Sequence, residues 1–317
     1  MNYRTFTDLN QAILKGLPKV PRDIDLIVGI PRSGMMPANL LALYLNKPYT
    51  DIHSFINGHI YTAGERAQFF ESKGHRKILV VDDSVASGGA LKKSKQLLTG
   101  SSKEYEYLFC AVYVAPGKEQ TVDISFETVP LPRYFQWNIF NHTDLEKSCF
   151  DIDGVLCVDP TPEQNDDGPR YLDFIIHAPP LFIPGSRIGA LVTSRLEKYR
   201  PETEAWLAQQ GIKYNKLIML DLPDKEARMR ANNHATFKAE TYRSGIYKLF
   251  IESSLSQAHD INRLTGKPVF CTETFEMIFN AESLLYNIKS GKYVPFLRRG
   301  ALRVRDMLKR LRSSLRR

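Results

Sequence analysis

Two pairs of acids stand where the chain could do phosphate chemistry. Asp82 and Asp83 follow the apolar run Ile78-Leu79-Val80-Val81 and precede Ser84-Val85-Ala86-Ser87-Gly88-Gly89-Ala90. Four aliphatic residues in a row suit a strand buried on both faces. The small residues behind them let a loop aim backbone N–H groups at an anion, and the two carboxylates could accept hydrogen bonds from vicinal hydroxyls. That combination suits a sugar phosphate. The second pair, Asp151 and Asp153, sits in Ser148-Cys149-Phe150-Asp151-Ile152-Asp153-Gly154-Val155-Leu156. A short strand there delivers two acids, two residues apart, into a turn that Gly154 permits.

The elements that position the first pair repeat a pattern. Leu26-Ile27-Val28-Gly29-Ile30-Pro31-Arg32-Ser33-Gly34 is again a buried strand running into a small-residue loop, and 37–45 reads as a helix. Residues 57–77 form a polar stretch holding His59, Arg66, Lys73, His75 and Arg76. The segment 78–90 resembles the signature for phosphoribosyl pyrophosphate (PRPP) of the type I phosphoribosyltransferases: hydrophobic residues, two acids, then a Ser/Thr/Gly/Ala loop. The resemblance implies that Asp82 and Asp83 hold the ribose hydroxyls and that Ser84, Val85, Ala86, Ser87, Gly88, Gly89 and Ala90 bind the 5-phosphate. It further implies that Arg32, Ser33 and Gly34 bind pyrophosphate, that 57–77 is a lid, and that PRPP comes with Mg²⁺. Trp137 would either stack on an acceptor or pack in the core.

The second pair resembles the first motif of the haloacid dehalogenase (HAD) superfamily, D-x-D-G-V-L, with the aspartate at the second position pointing to phosphate chemistry. That likeness implies Asp151 as nucleophile and Asp153 as acid and then base. It places Thr193 and Ser194, at the end of the strand-like 188–195, on the phosphoryl group, and Lys238 as the third-motif lysine, with Lys248 as the alternative. Asp151, Asp153 and Glu252 would hold Mg²⁺. Most members carry a second acid where this chain has Ser253. The spacings 153–193 and 193–238 leave little chain for a cap, so an open site is expected, suited to a phosphate on something large.

Composition locates the rest. At 317 residues, two domains are expected. The fold expectation is α/β, two doubly wound, Rossmann-like parallel-sheet domains at 1–144 and 145–292, then a basic amphipathic tail at 293–317. Residues 298–317 contain nine Lys/Arg and one acid, a net charge of +8 that equals that of the whole chain, so the remainder is neutral. Ala301, Val304, Leu308, Leu311 and Leu315 recur at alternating steps of three and four, one apolar face of a helix ringed by arginines. Apolar residues beside arginines suit an anionic membrane surface. Nucleic acid is disfavoured, since no aromatic residues interleave the basic ones. Four cysteines without C-x-x-C spacing fit a reduced, cytoplasmic setting. The start lacks a signal-peptide core, so the expected location is the inner face of the cytoplasmic membrane. Asn165-Asp166-Asp167-Gly168 reads as a solvated turn and Trp206 as core.

The two resemblances imply transfer of 5-phosphoribosyl from PRPP to an acceptor, then removal of the 5-phosphate to leave ribofuranose. A lipid-linked glycan is the expected acceptor, as in ribofuranose-containing bacterial polysaccharides. A nucleobase phosphoribosyltransferase coupled to a nucleotide phosphatase, or a PRPP-sensing regulator that binds nucleic acid, are the alternatives. A homodimer is implied by analogy alone.

Overall fold

A computed structural model describes residues 1–61, 76–99, 105–231 and 234–279. The described residues divide into two compact units that part between Ile139 and Phe140. The basic tail lies outside the described residues, as do 62–75 of the expected lid. Among the described residues no helix is long and apolar enough to cross a membrane.

The first unit holds a five-stranded sheet in the order β3-β2-β4-β5-β6, parallel throughout. Its strands are β2 (Leu26–Gly29), β3 (Tyr49–Asp51), β4 (Arg76–Val85), β5 (Tyr105–Val114) and β6 (Ile124–Thr128). A second, two-stranded sheet pairs β1 (Asn2–Arg4) with β7 (Arg133–Phe135). Helix α1 (Phe6–Gly16) opens with a capping box between Thr5 and Asp8, and α2 (Met35–Leu45) starts two residues before the expected Pro37.

Alternation along β4 explains its unbroken apolar run. Leu79 and Val81 pack with Leu9, Ile13 and Leu41 of α1 and α2, whereas Ile78 and Val80 pack on the opposite side. That opposite side carries Ile52 and Phe55 of α3 (Ile52–Ile56) and Leu91 and Leu98 of α4 (Gly89–Leu98). Each such side chain contributes about 1.5–3 kcal/mol on burial. Strand order reverses between β2 and β4, and ligands of such sheets bind in the crevice at that reversal.

The second unit has a six-stranded sheet, β10-β9-β8-β11-β12-β13. The strands are β8 (Ser148–Phe150), β9 (Ile188–Leu196), β10 (Tyr214–Leu220), β11 (Leu249–Glu252), β12 (Val269–Cys271) and β13 (Glu276–Ile278). All pair in parallel except β13, whose antiparallel pairing with β12 departs from the fully parallel sheet expected. Between β8 and β11 the order reverses again. Cys149, Val192, Phe250 and Val269 pack on α8 (His234–Ser244) and α9 (Leu255–Thr265) through Tyr242, Ala258 and Ile261. Trp206, on α6 (Arg200–Gln209), is buried and donates its indole N–H to the Ala178 carbonyl at 2.9 Å.

Candidate functional site

In the first unit β4 carries both acids inside the strand, because its ladder with β5 continues to Ser84–Tyr113 and Val85–Val114. The expectation that a loop begins at Ser84 is therefore corrected. Val85 packs in the core and its carbonyl accepts from Ala115 N–H at 2.9 Å, so its side chain is withdrawn from any phosphate. The loop proper is Ala86, Ser87 and Gly88. Ala86, Ser87, Gly89 and Ala90 are exposed, and Gly88 caps α4 at φ 81°, a left-handed backbone that favours glycine. Their amides stand at a helix N-terminus, where an anion is favoured.

Across the crevice, Arg32 is exposed on the loop after β2, and the Pro31–Arg32 peptide is cis. Gly34 has an ordinary φ, so its need for glycine is close approach. A Cβ there would lie 2.5 Å from the Ile30 carbonyl oxygen, 2.7 Å from that of Val81 and 3.1 Å from Asp82 Cα. Gly34→Ala is expected to push the loop off β4, costing about 1–3 kcal/mol of stability and at least about tenfold in PRPP affinity. Denaturant unfolding and calorimetric titration measure the two effects, and unchanged PRPP affinity would refute this account of the loop.

Both acids are buried. Asp82 Oδ1 accepts from the Asp83 N–H at 2.8 Å. Asp83 Oδ1 accepts from Ser33 Oγ and its Oδ2 from Trp137 Nε1, each at 2.8 Å. Burial, with the neighbouring Asp83 charge adding, pushes Asp82 up to about 8. Burial presses the Arg133 guanidinium down while the charges of Asp83 and Asp82 oppose it. Hydroxyl donors favour a charged Asp82, so PRPP binding should expel its proton below pH 8 and affinity should climb toward about tenfold per pH unit, levelling above 8. Calorimetry in buffers of different ionisation enthalpy, between pH 7 and 9, reads the released proton. Asp82→Asn should show no such release.

In the second unit, Asp151 follows β8 and Glu252 ends β11, on the two sides of the strand reversal. Lys238, fully buried on α8, reaches Asp151 Oδ2 at 2.6 Å, Glu252 Oε2 at 2.7 Å and Gln257 Oε1 at 3.0 Å. Lys248 is instead exposed, 3.9 Å from Asp144. Burial pushes Asp151 up to about 7, with Lys238 opposing and the charges of Glu252 and Asp153 adding.

The three carboxylates expected to hold Mg²⁺ do not converge as a ligand set. Asp151 and Glu252 both turn to Lys238, and Glu252 Oε1 accepts from the amides of Ser253 and Ser254. Asp153 takes the Arg195 guanidinium, Nη2 at 2.6 Å and Nε at 3.2 Å to each oxygen. Among the described residues, no group of three or more His, Cys, Asp or Glu is placed to hold a metal ion. Asp151 and Glu252 share the Lys238 ammonium, and Asp153 has the Arg195 guanidinium.

Thr193 is buried and its Oγ1 accepts from Arg195 N–H at 3.2 Å; Ser194, the next residue, turns its hydroxyl to His234 Nδ1 at 2.9 Å. Arg195, Gln257, His234 and Asp159 were missed in the sequence. Asp159 is pushed up by burial and by the charges of Asp153 and Glu252. The turn at 165–168 is an anchor rather than a solvated bend: Asp167 accepts from Lys198 Nζ, Tyr199 Oη and Lys225 N–H at 2.9–3.0 Å.

Comparison with known proteins bears on the first unit. Two solved structures resemble it. A purine phosphoribosyltransferase from Pyrococcus horikoshii shares 19% identity over 43% of this chain and 92% of its own, with a TM-score of 0.32. A xanthine-guanine-hypoxanthine phosphoribosyltransferase from Helicobacter pylori shares 18% over 44% and 93%, with a TM-score of 0.33. No curated protein matches the chain. Residues 6–141 match the family model described as a phosphoribosyl transferase domain, which makes that segment such a domain and supports phosphoribosyltransferase activity in the first unit.

Proposed function

We propose that the chain transfers 5-phosphoribosyl from PRPP, supplied as its magnesium salt, to an acceptor in the first unit, and removes the 5-phosphate in the second. The observation that carries this reading is that each unit sets a buried acid pair at the strand-order reversal of its own sheet: Asp82 and Asp83 on β4, and Asp151 beside Glu252 under Lys238. In the first unit Asp82 and Asp83 hold the ribose hydroxyls. The amides at 86–90 take the 5-phosphate, and the loop bearing Arg32, Ser33 and Gly34 takes the departing pyrophosphate. Holding both ends of PRPP places C1 for attack by an acceptor hydroxyl, and positioning of this kind accounts for much of a barrier reduction. The charge developing on the ribose ring falls beside the carboxylates of β4.

In the second unit Asp151 attacks the phosphoryl group that Thr193 helps bind, and Lys238 offsets the nucleophile's charge. Asp153, oriented by Arg195, handles the proton. The acceptor we propose is a lipid-linked glycan, reached by the basic amphipathic segment 298–317 at an anionic, inner membrane face.

The test is incubation of the protein with PRPP, Mg²⁺ and candidate acceptors, following product mass and pyrophosphate. A glycan that gains a phosphoribosyl and then a ribosyl group supports the reading. Consumption of PRPP only with a free nucleobase would sink it. Sedimentation with anionic vesicles, with and without 298–317, tests the membrane part.

A further inference from the structure

We infer that Ser33 and Trp137 are positioning residues that fix Asp83 from two sides, and that the Trp137 indole is a structural strut rather than a stacking platform for a planar acceptor. The inference rests on the phosphoribosyl transfer proposed for the first unit. It concerns how that site is held and which acceptors it suits.

Three segments meet at one carboxylate. Ser33 stands on the loop after β2, Asp83 in β4 and Trp137 just after β7, separated from Asp83 by 50 and 54 residues of sequence. Each oxygen of Asp83 accepts one hydrogen bond, of 2.8 Å, from a neutral donor. Two donors on two oxygens fix the orientation of the Asp83 carboxyl. Two such hydrogen bonds are enough to hold a buried side chain in one rotamer. The same bond from Ser33 ties the loop assigned to pyrophosphate to the acid assigned to ribose. A change at either is therefore felt at the other and at the indole.

The ring itself is occupied. Trp137 stacks on Phe135 with centroids 4.9 Å apart and planes 14° apart, and Phe135 stacks on Tyr113 at 5.4 Å. Phe6 lies against the indole at 5.7 Å, tilted by 40°. A base seeking the indole face that Phe135 covers would have to displace that ring. An acceptor recognised through hydroxyl groups has no such requirement. Of the two roles expected for Trp137, packing is the one these contacts support, with the N–H as its polar end.

Trp137 and Trp206 are the two tryptophans of the chain, which makes the inference measurable. Protein labelled with 5-fluorotryptophan gives two ¹⁹F resonances, assigned with Trp137→Phe. Calorimetry first establishes that the wild type binds magnesium PRPP. Binding of PRPP, and of magnesium pyrophosphate alone, should then shift the Trp137 resonance and leave that of Trp206 in place. Ser33→Ala should abolish the response to pyrophosphate, and Ser33→Thr, which keeps a hydroxyl, should restore it. Trp137→Phe, which keeps the stack and loses the N–H, should weaken PRPP binding or slow pyrophosphate release about tenfold or more. Adding purine or pyrimidine bases to the PRPP complex should leave the Trp137 resonance unmoved. If PRPP binds, Trp137→Phe alters neither affinity nor release and Ser33→Ala leaves the Trp137 response to pyrophosphate unchanged, the positioning role is refuted while the transferase reading stands. A base-induced shift of Trp137 refutes the strut. No PRPP binding by the wild type refutes both the transferase reading and the inference.

Discussion

In the Asp151→Asn variant the transfer product is expected to accumulate with its 5-phosphate intact, whereas the wild type releases inorganic phosphate. Asp151 is buried, with Oδ1 accepting from the Ile152 N–H at 2.8 Å and Oδ2 held by Lys238 at 2.6 Å. An amide fills the same space but cannot attack phosphorus, and loss of a nucleophile lowers such a step by about 10³-fold or more. The fold should persist, because Glu252 and Gln257 still pair Lys238. Transfer depends on Asp82 and Asp83, in the other compact unit, and should continue. Product mass and phosphate release, measured on one sample, separate the two steps. Phosphate release at the wild-type rate would remove Asp151 from the chemistry, and loss of transfer as well would mean that the two steps are not separable.

What the sequence reveals about the fold is what strands and local turns encode. Burial on both faces of β4 was readable from Ile78 to Val81 because helices cover each side and every position must be apolar. The end of the strand was not readable. Asp82, Asp83 and Ser84 look like a strand terminus by composition, yet β5 presents residues as far as Val114 and keeps the ladder going. The same thing happens in β9, where Thr193 and Ser194 suggest an end. The strand runs on to Leu196, and Arg195, two residues past Thr193 and on the same side of the pleat, reaches Asp153. A polar residue in a buried strand therefore marks a site without marking where the strand stops.

Site chemistry was legible where order along the chain suffices and hidden where it depends on contacts between distant segments. Asp151, Lys238 and Glu252 come in the expected order, and the structure joins them through one ammonium. Trp137 reaches Asp83 across 54 residues, and no local pattern carries that bond. Gly34 is a subtler case, since its backbone φ is ordinary and only the nearness of the Val81 carbonyl excludes a side chain. Counting acids likewise does not show which cations of the protein reach them, as Lys238 and Arg195 do here.

Removal of Lys238 should destabilise the second unit more than any other single truncation discussed. Its ammonium sits between two buried carboxylates, Asp151 at 2.6 Å and Glu252 at 2.7 Å, with Gln257 completing its donors. Lys238→Met keeps the apolar stem and leaves two like charges in a cavity with nothing to offset them. Breaking a buried pair in this way costs about 3–5 kcal/mol, roughly 10 °C in Tm for a unit of this size. The deficit must depend on pH. Without the ammonium nothing opposes the burial that already raises the Asp151 carboxyl, so the stability it carries is present below the unfolded pKa, near 4, and is lost as pH rises through the folded pKa. The variant should thus approach the wild type at low pH and fall furthest behind at neutral pH and above. Replacing one acid as well, in Lys238→Met with Glu252→Gln, removes a charge from the cavity and should recover part of the loss. Urea unfolding from pH 4 to 8 measures all three proteins. A deficit below about 1 kcal/mol at neutral pH, or a double variant no more stable than the single one, would show that the ammonium is not what holds these two acids together.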